Sequence, residues 1–588
     1  MKKTLLFSVA LAGLMLGSCS SSDDLNGGGN NTGSNQSGNG YVAFNINLPS
    51  QAGSSSRAND DFDAGMKSEY DVKDATLLIF EGSSESAAQF KGAYTLNTAP
   101  WKNNGQTDNI TTTSATIVKE IATPTSSDHC YALVVLNKND VFTVDENTKS
   151  ITMKNATATF SGTYKQFAES LSEEDLTKNG FYMANAPLAS KAGGAIDPAD
   201  AEIKTLASLD GKIKETESEA KKAPAQIYVE RGVAKVTMQN TLTPTTVDGS
   251  KKSDGTSSVD FKITSWVLDN TNKKTYLVRS TEGYGSWLSL ASNATPGVTN
   301  KYRFVGSKEV AANLYRTYFA KDANFDQTGN TAALVAGDLV TNTNPTFVDK
   351  FGNDYPQYCF ENTFDVACQK DNMTTRVLIK AQLNSGSTFY VINGDENTIY
   401  EKDYVIKEIK KYFLTEYESW IKTNVTIASG SVGEGNLDVD ITDNAGDVAL
   451  NSITFTNGAT TTATLPTDYQ QKVMDRVGTI KEYKDGESYY FVRIKHFGDD
   501  MTPWNTKETP KPSTSSIYPA DNMNANYLGR YGVLRNNWYD IAVEGVKGLG
   551  SATVPQVTIH TDDELKSYIA VRINVLSWAK RTQNATLH

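Results

Sequence analysis

Val42, Phe44, Ile46 and Leu48 alternate with Ala43, Asn45 and Asn47, and Pro49 follows. A period of two predicts a strand with one buried face. The runs at 75–80 and 131–137 are continuously apolar and predict central strands. Residues 166–179 read as a helix, with Phe167 and Leu171 four apart and Ser172 and Asp175 at the spacing of a capping box. Residues 204–222 are charged and poor in large apolar side chains, which predicts an inter-domain connection. Strand character resumes at 227–236. Further strands are expected at 261–267, 275–278, 375–383, 388–392, 489–494, 538–543 and 568–576. Short helices are expected at 407–424 and at 468–477, where Tyr469, Val473 and Val477 share a face. The chain is therefore expected to be mainly all-β with a few short helices.

Length and composition sharpen this picture. A chain of 588 residues allows two to four domains, and large β-sandwiches favour two. Hydrophobic residues at 38% and charged residues at 21% fit globular domains. The net charge is −12 and Lys and Arg are not clustered. Such a chain gains little from phosphate contacts, so nucleic acid is not expected as a partner.

The first residues predict export. Met1-Lys2-Lys3 is basic, and the apolar stretch 5–16 is shorter than the ~20 residues that span a bilayer. It ends Leu16-Gly17-Ser18-Cys19, which resembles the lipobox of bacterial lipoproteins and implies cleavage before Cys19 and its acylation. Ser20-Ser21-Ser22-Asp23-Asp24 resembles the acidic signal that sends Bacteroidetes lipoproteins to the outer surface. Residues 27–40 form a tether of Gly, Asn and Ser.

Catalytic chemistry finds no anchor. No Walker A, GxGxxG, GxSxG or HExxH motif occurs. Asp438, Asp440 and Asp443 suggest a calcium loop, but the sixth position is Asp443 rather than Gly and the twelfth is Ala449 rather than Glu. The four His and four Cys are dispersed without metal-ligand spacing, so neither a metal nor a cofactor is expected. Asp128-His129-Cys130 stands just before an apolar strand and reads as an inert thiol. Cys359 and Cys368 could pair or stay reduced.

Several segments carry a family resemblance: 74–82, 229–236, 266–273, Tyr358-Cys359-Phe360-Glu361-Asn362-Thr363, 529–539 and 573–578. Together with the lipobox they resemble the Bacteroidales major fimbrial subunit family, the type V pilins, within it the branch of minor-fimbrium shaft proteins. That resemblance implies two transthyretin-like β-sandwich domains and export as a lipoprotein. It also implies cleavage after an Arg in the loop following the first strand, here Arg57, leaving Ala58 as the new N-terminus. Lys67 would serve only a less selective protease. The expected organisation is a signal peptide at 1–18, an acylated tether at 19–40, and a propeptide strand and cleavage loop at 41–57. An N-terminal sandwich at 58–222 and a C-terminal sandwich at 223–588 follow, the latter ending in a donor-strand candidate at 567–588.

The function implied is a fimbrial shaft subunit, not an enzyme, in a fimbrium on the cell surface. Its expected partners are identical subunits, anchor and tip subunits, an arginine-specific or trypsin-like protease, and the outer membrane through the precursor's lipid. Physics supplies a reason for the processing. Burying Val42, Phe44, Ile46 and Leu48 is worth on the order of 6–12 kcal/mol, so excising that strand leaves a trough that another strand can refill. The donor candidates are Ile569, Val571, Ile573 and Val575, then Ala585 and Leu587 in the tail. The alternative is a monomeric surface lipoprotein that binds glycans or host proteins, with Trp101, Trp287 or Trp504 as platforms.

Overall fold

The computed structural model describes residues 38–577 apart from 49–65, 100–113, 125–127, 192–201, 241–244, 285–304, 325–338, 341–344, 364–370, 443–444, 497–530, 558–568 and positions 256, 312, 319 and 396. The chain is mainly β with a few helices, as its alternating apolar pattern predicts.

The first body is built from β1 (Asn39–Asn47), β2 (Ala75–Gly82), β3 (Gln89–Thr95), β4 (Ser114–Ala122), β5 (His129–Leu136), β6 (Met183–Asn185) and β7 (Ala225–Arg231). They follow one another in space in the order β3-β2-β5-β6-β7-β1-β4. Strand β7 changes partner midway. Its first half runs parallel to β1, from Ala225 beside Phe44 to Tyr228 beside Asn47, and its second half runs antiparallel to β6. A strand that switches partners in this way turns a sheet's corner. One core unites Phe44, Ile46, Leu78, Phe80, Leu133, Phe167 and Ile227.

Three expectations need correction here. The helix expected over 166–179 is only α1 (Tyr164–Ala168). Its capping box is Thr163 with Gln166. Ser172 and Asp175 instead accept from Glu174 N and Thr177 N in tight turns, which is the competing use of short polar side chains. Residues 171–172 then pair with 275–276. The segment 204–222 is not a connection between domains: residues 207–208 pair with β5, Leu209 is fully buried, and α2 (Glu217–Lys222) packs on β1. Its low apolar content reflects real exposure: only Leu206, Leu209 and Ala220 are buried, and these three anchor the segment to the first body. Strand β7, assigned by its position after residue 222 to the second domain, is hydrogen-bonded into the first.

The chain crosses at Gly232. A Cβ there would lie 3.0 Å from the Tyr182 ring and 3.1 Å from Leu176, so a larger residue would have to push these two side chains aside. The second body follows from β8 (Ala234–Gln239), β9 (Phe261–Asp269), β10 (Gln357–Cys359), β11 (Arg376–Leu383), β12 (Glu487–Arg493), β13 (Asn537–Val546) and β14 (Ile569–Ser577). Its two sheets, β10-β8-β13-β14 and β9-β11-β12, share a core that includes Val236, Trp266, Ile379, Tyr490 and Ile541.

A third core is inserted between two paired strands, Phe389–Ile392 and Ile480–Tyr483. It is covered by α3 (Lys402–Glu416), α4 (Glu418–Asn424) and α5 (Tyr469–Val477). Val405, Ile409 and Phe413 recur at a spacing of four and are buried, the stripe of an amphipathic helix. The single helix expected over 407–424 is thus two, broken at Tyr417.

Candidate functional site: an occupied groove beside a buried polar junction

Strand β1 lies between β4, antiparallel over all nine residues, and β7, parallel over four. Val42, Phe44 and Ile46 are fully buried and Leu48 nearly so, all in the first core. Ala43, on the opposite face, is also buried, on a strand against which α2 packs. One face of the strand is therefore fully covered and the other partly, with Tyr41, Asn45 and Asn47 half-buried. Polar side chains fix the register: Asn45 donates to Gln226 Oε1 at 2.9 Å and Asn47 to the Ile227 carbonyl at 3.1 Å. Where β7 has not yet begun, Tyr41 exchanges backbone hydrogen bonds with Lys214 at 2.7 and 2.9 Å. A segment joined to the rest by residues 49–65 thus fills a slot with side chains on both faces and hydrogen bonds on both edges.

The other sequence candidates are placed as follows. Cys19, Arg57, Ala58, Ala585 and Leu587, with Trp101, Trp287, Trp504, Cys368 and Asp443, lie outside the described residues. Ile569, Val571, Ile573 and Val575 lie on β14, the terminal strand of its sheet, antiparallel to β13 in the same chain. Cys130 and Cys359 are buried free thiols. Burial pushes each up to about 12, which removes the thiolate that reactivity needs. No group of three or more His, Cys, Asp or Glu among the described residues could hold a metal.

A second feature escaped sequence reasoning, although the resembling segments run through it. Register sets Lys235 of β8 between Tyr358 of β10 and Trp538 of β13. The ammonium stands 3.9 Å from the Trp538 ring centre, a cation–π contact. Above this layer sits Glu69, fully buried, from the turn Lys67–Glu69. Its carboxylate meets Lys235 Nζ at 2.8 Å and accepts from the Tyr358 hydroxyl at 2.5 Å and from Met66 N at 2.9 Å. Its carbonyl accepts from Arg231 Nε at 2.7 Å. Burial, reinforced by the Glu69 charge, raises the Tyr358 phenol and keeps it a donor. Nearby, Arg279 grips Glu230 in two bonds of 2.9 and 2.7 Å, and Arg535 meets Glu361 and donates to the Tyr276 carbonyl at 2.9 Å. Hence Glu230, Arg231, Lys235, Tyr358, Glu361, Arg535 and Trp538, read as family segments scattered over three hundred residues, converge where the two bodies meet. Periodicity could not reveal this, because each partner is distant in sequence.

A cavity of about 740 Å³ opens on the first body, lined by Glu85, His129, Tyr131, Tyr164, Lys204 and Asp210 among others. Glu85 accepts from Thr205 N at 3.1 Å and Leu206 N at 3.2 Å, yet burial pushes it up to about 7.

One family model and several solved structures resemble the chain. Residues 481–584 match the family model described as major fimbrial subunit protein type IV, Fimbrillin, C-terminal. Over that span the chain is similar to the C-terminal region of fimbrillins. No curated protein matches. Solved structures that resemble the chain include one called a "putative cell adhesion protein" from Parabacteroides distasonis ATCC 8503, 10% identical, covering 93% of this chain and 99% of that one at a TM-score of 0.38. Another is the tip fimbrial protein Mfa3 from Porphyromonas gingivalis with C-terminal truncation, 10% identical, covering 92% and 100% at a TM-score of 0.27.

Proposed function

We propose that this chain is a shaft subunit of a surface fimbrium, made as a lipid-anchored precursor whose β1 is a temporary occupant of its own groove. The observation that carries the reading is the full burial of the apolar face of β1 in the first core and its pairing on both edges. Cleavage after Arg57 severs β1 from the body. Its loss exposes the apolar floor under Val42, Phe44, Ile46 and Leu48 and strips partners from the backbone of β4 and β7. Those groups are costly when left unpaired, and a strand from a second copy restores them.

The donor is read from sequence likeness. Ile569-Ala570-Val571-Arg572-Ile573-Asn574-Val575 repeats the order of Val42-Ala43-Phe44-Asn45-Ile46-Asn47-Leu48. Large apolar residues recur at the same alternate places, with the small Ala second and Asn sixth in both. To replace β1 in a second copy this segment would leave its pairing with β13 in its own chain, and the tail with Ala585 and Leu587 extends it. Processing by an arginine-specific protease, acylation at Cys19 and joining to anchor and tip subunits complete the proposed route to the cell surface.

The test is Arg57→Ala. Membrane fractions from cells carrying it should contain full-length monomer, with no ladder on unheated gels. Fibres of normal length from this variant would contradict the reading.

A further inference from the structure

Residues 66–74 connect the segment that follows β1 to β2, and polar bonds rather than sheet pairing pin them. Glu69 is sealed into the junction as described. Four residues on, Lys73 N donates to Asn137 Oδ1 at 2.7 Å, and Asn137 Nδ2 donates to the carbonyls of Asp71 and Phe181 at 2.8 and 2.9 Å. Val72 and Asn137 are buried. The partners of Glu69 come from both sides of the Gly232 crossing: Arg231 ends β7, while Lys235 lies on β8 and Tyr358 on β10.

The location matters. Strand β1 ends at Asn47 opposite Tyr228, and β7 continues for three residues to Arg231. At ~3.3 Å per residue, the backbone of Arg231, whose side chain bonds Glu69, stands ~10 Å beyond the last residue paired with β1. A cut after Arg57 leaves Ala58-Asn59-Asp60-Asp61-Phe62-Asp63-Ala64-Gly65 before the pinned stretch. Three aspartates and one large apolar residue cannot imitate β1.

We propose that Glu69 is a positioning residue for assembly: its clamp on Arg231, Lys235 and Tyr358 fixes the start of the processed chain at the groove's end and holds the two bodies in place when β1 leaves. The inference rests on the reading of β1 as a removable strand. It adds why the groove stays open. With the downstream chain locked, it cannot slide into the vacancy, and the remaining tail is too polar to fill it. The junction does not depend on β1 for a single one of these bonds, so the loss of β1 falls on β4, the first half of β7, Lys214 and α2.

Hydrogen–deuterium exchange on the full chain, before and after cleavage at Arg57 by an arginine-specific protease, tests this. In the wild type, cleavage and release of the fragment should speed exchange at 114–122 and 225–228 by about tenfold or more, while 66–74 and 234–238 change less than about twofold. In Glu69→Gln, which strands the buried Lys235 charge, exchange at 66–74 should already exceed wild type before cleavage and rise about tenfold further after it, with slower ladder growth. Tyr358→Phe, which removes one hydroxyl, should give a smaller rise of the same kind and keeps the test valid if Glu69→Gln fails to fold. Wild-type loosening of 66–74 in step with the groove strands, or unchanged protection and ladder growth in both variants, would overturn the proposal. Absence of any ladder from cleaved wild type counts against strand exchange itself, and is read on a gel separate from the exchange data.

Discussion

At the scale of single residues, the junction is where one atom's loss costs most. The Arg279 and Glu230 side chains are 2% and 4% exposed, so their pair is neither screened nor hydrated, and burial raises the Glu230 carboxyl. Removing one partner strands the other charge, which costs ~3–5 kcal/mol. Arg279→Met should lower the free energy of urea unfolding by about that amount, and adding Glu230→Leu should recover much of it. Glu85 makes a pH prediction of the opposite sign to the usual carboxylate. Its folded value of about 7 lies above its ordinary 4.5. Between these values the folded carboxyl keeps a proton that the unfolded one has lost, so its contribution to stability falls as pH rises from 4.5 through 7. Glu85→Gln should flatten the decline in thermal midpoint across that window, and an unchanged slope would assign it to other groups. Neither site was legible in the sequence. An Arg or Glu in a one-dimensional pattern reads as surface, and only the meeting of segments far apart makes it interior.

At the scale of elements, legibility followed the strength of the period. The alternation at 42–48 and the continuous runs at 75–80 and 131–137 became β1, β2 and β5 because hydrophobic parity and sheet pairing demand the same backbone. The failures lie where short polar side chains had two uses. Ser172 and Asp175 could have capped a helix but close turns, and the charged stretch 204–222 hid Leu206, Leu209 and Ala220, all buried. Parity also gives β1 a specific test. A synthetic peptide of residues 39–48, added to chain cleaved after Arg57, should occupy the groove and suppress ladder formation in proportion to its concentration. A peptide of identical composition with the apolar residues moved to odd positions should not, since a one-residue slip turns every large side chain outward. Equal inhibition by both peptides would mean that the groove reads hydrophobicity without register.

At the scale of the whole molecule, three cores divide the work. The first holds the groove, the second holds β14 and, with the first, frames the Glu69 clamp, and the third hangs on the paired strands 389–392 and 480–483. The sequence forecast its helices but not its separateness, because an insertion within one sandwich leaves no composition break. Separate cores open separately when little apolar surface is shared between them. Phe413 is fully buried in the third core, against Tyr417 and Tyr469. Phe413→Ala should cost that core ~3–5 kcal/mol and speed exchange across 402–424 and 469–477, while 114–122 and 234–238 keep their protection. Ladder formation after cleavage should proceed at the wild-type rate, since neither the groove nor the clamp draws on the insert. Were assembly instead to fail with the insert loosened, the third core would be part of the contact between subunits, and the stem strands would be the route by which it acts on the second sandwich.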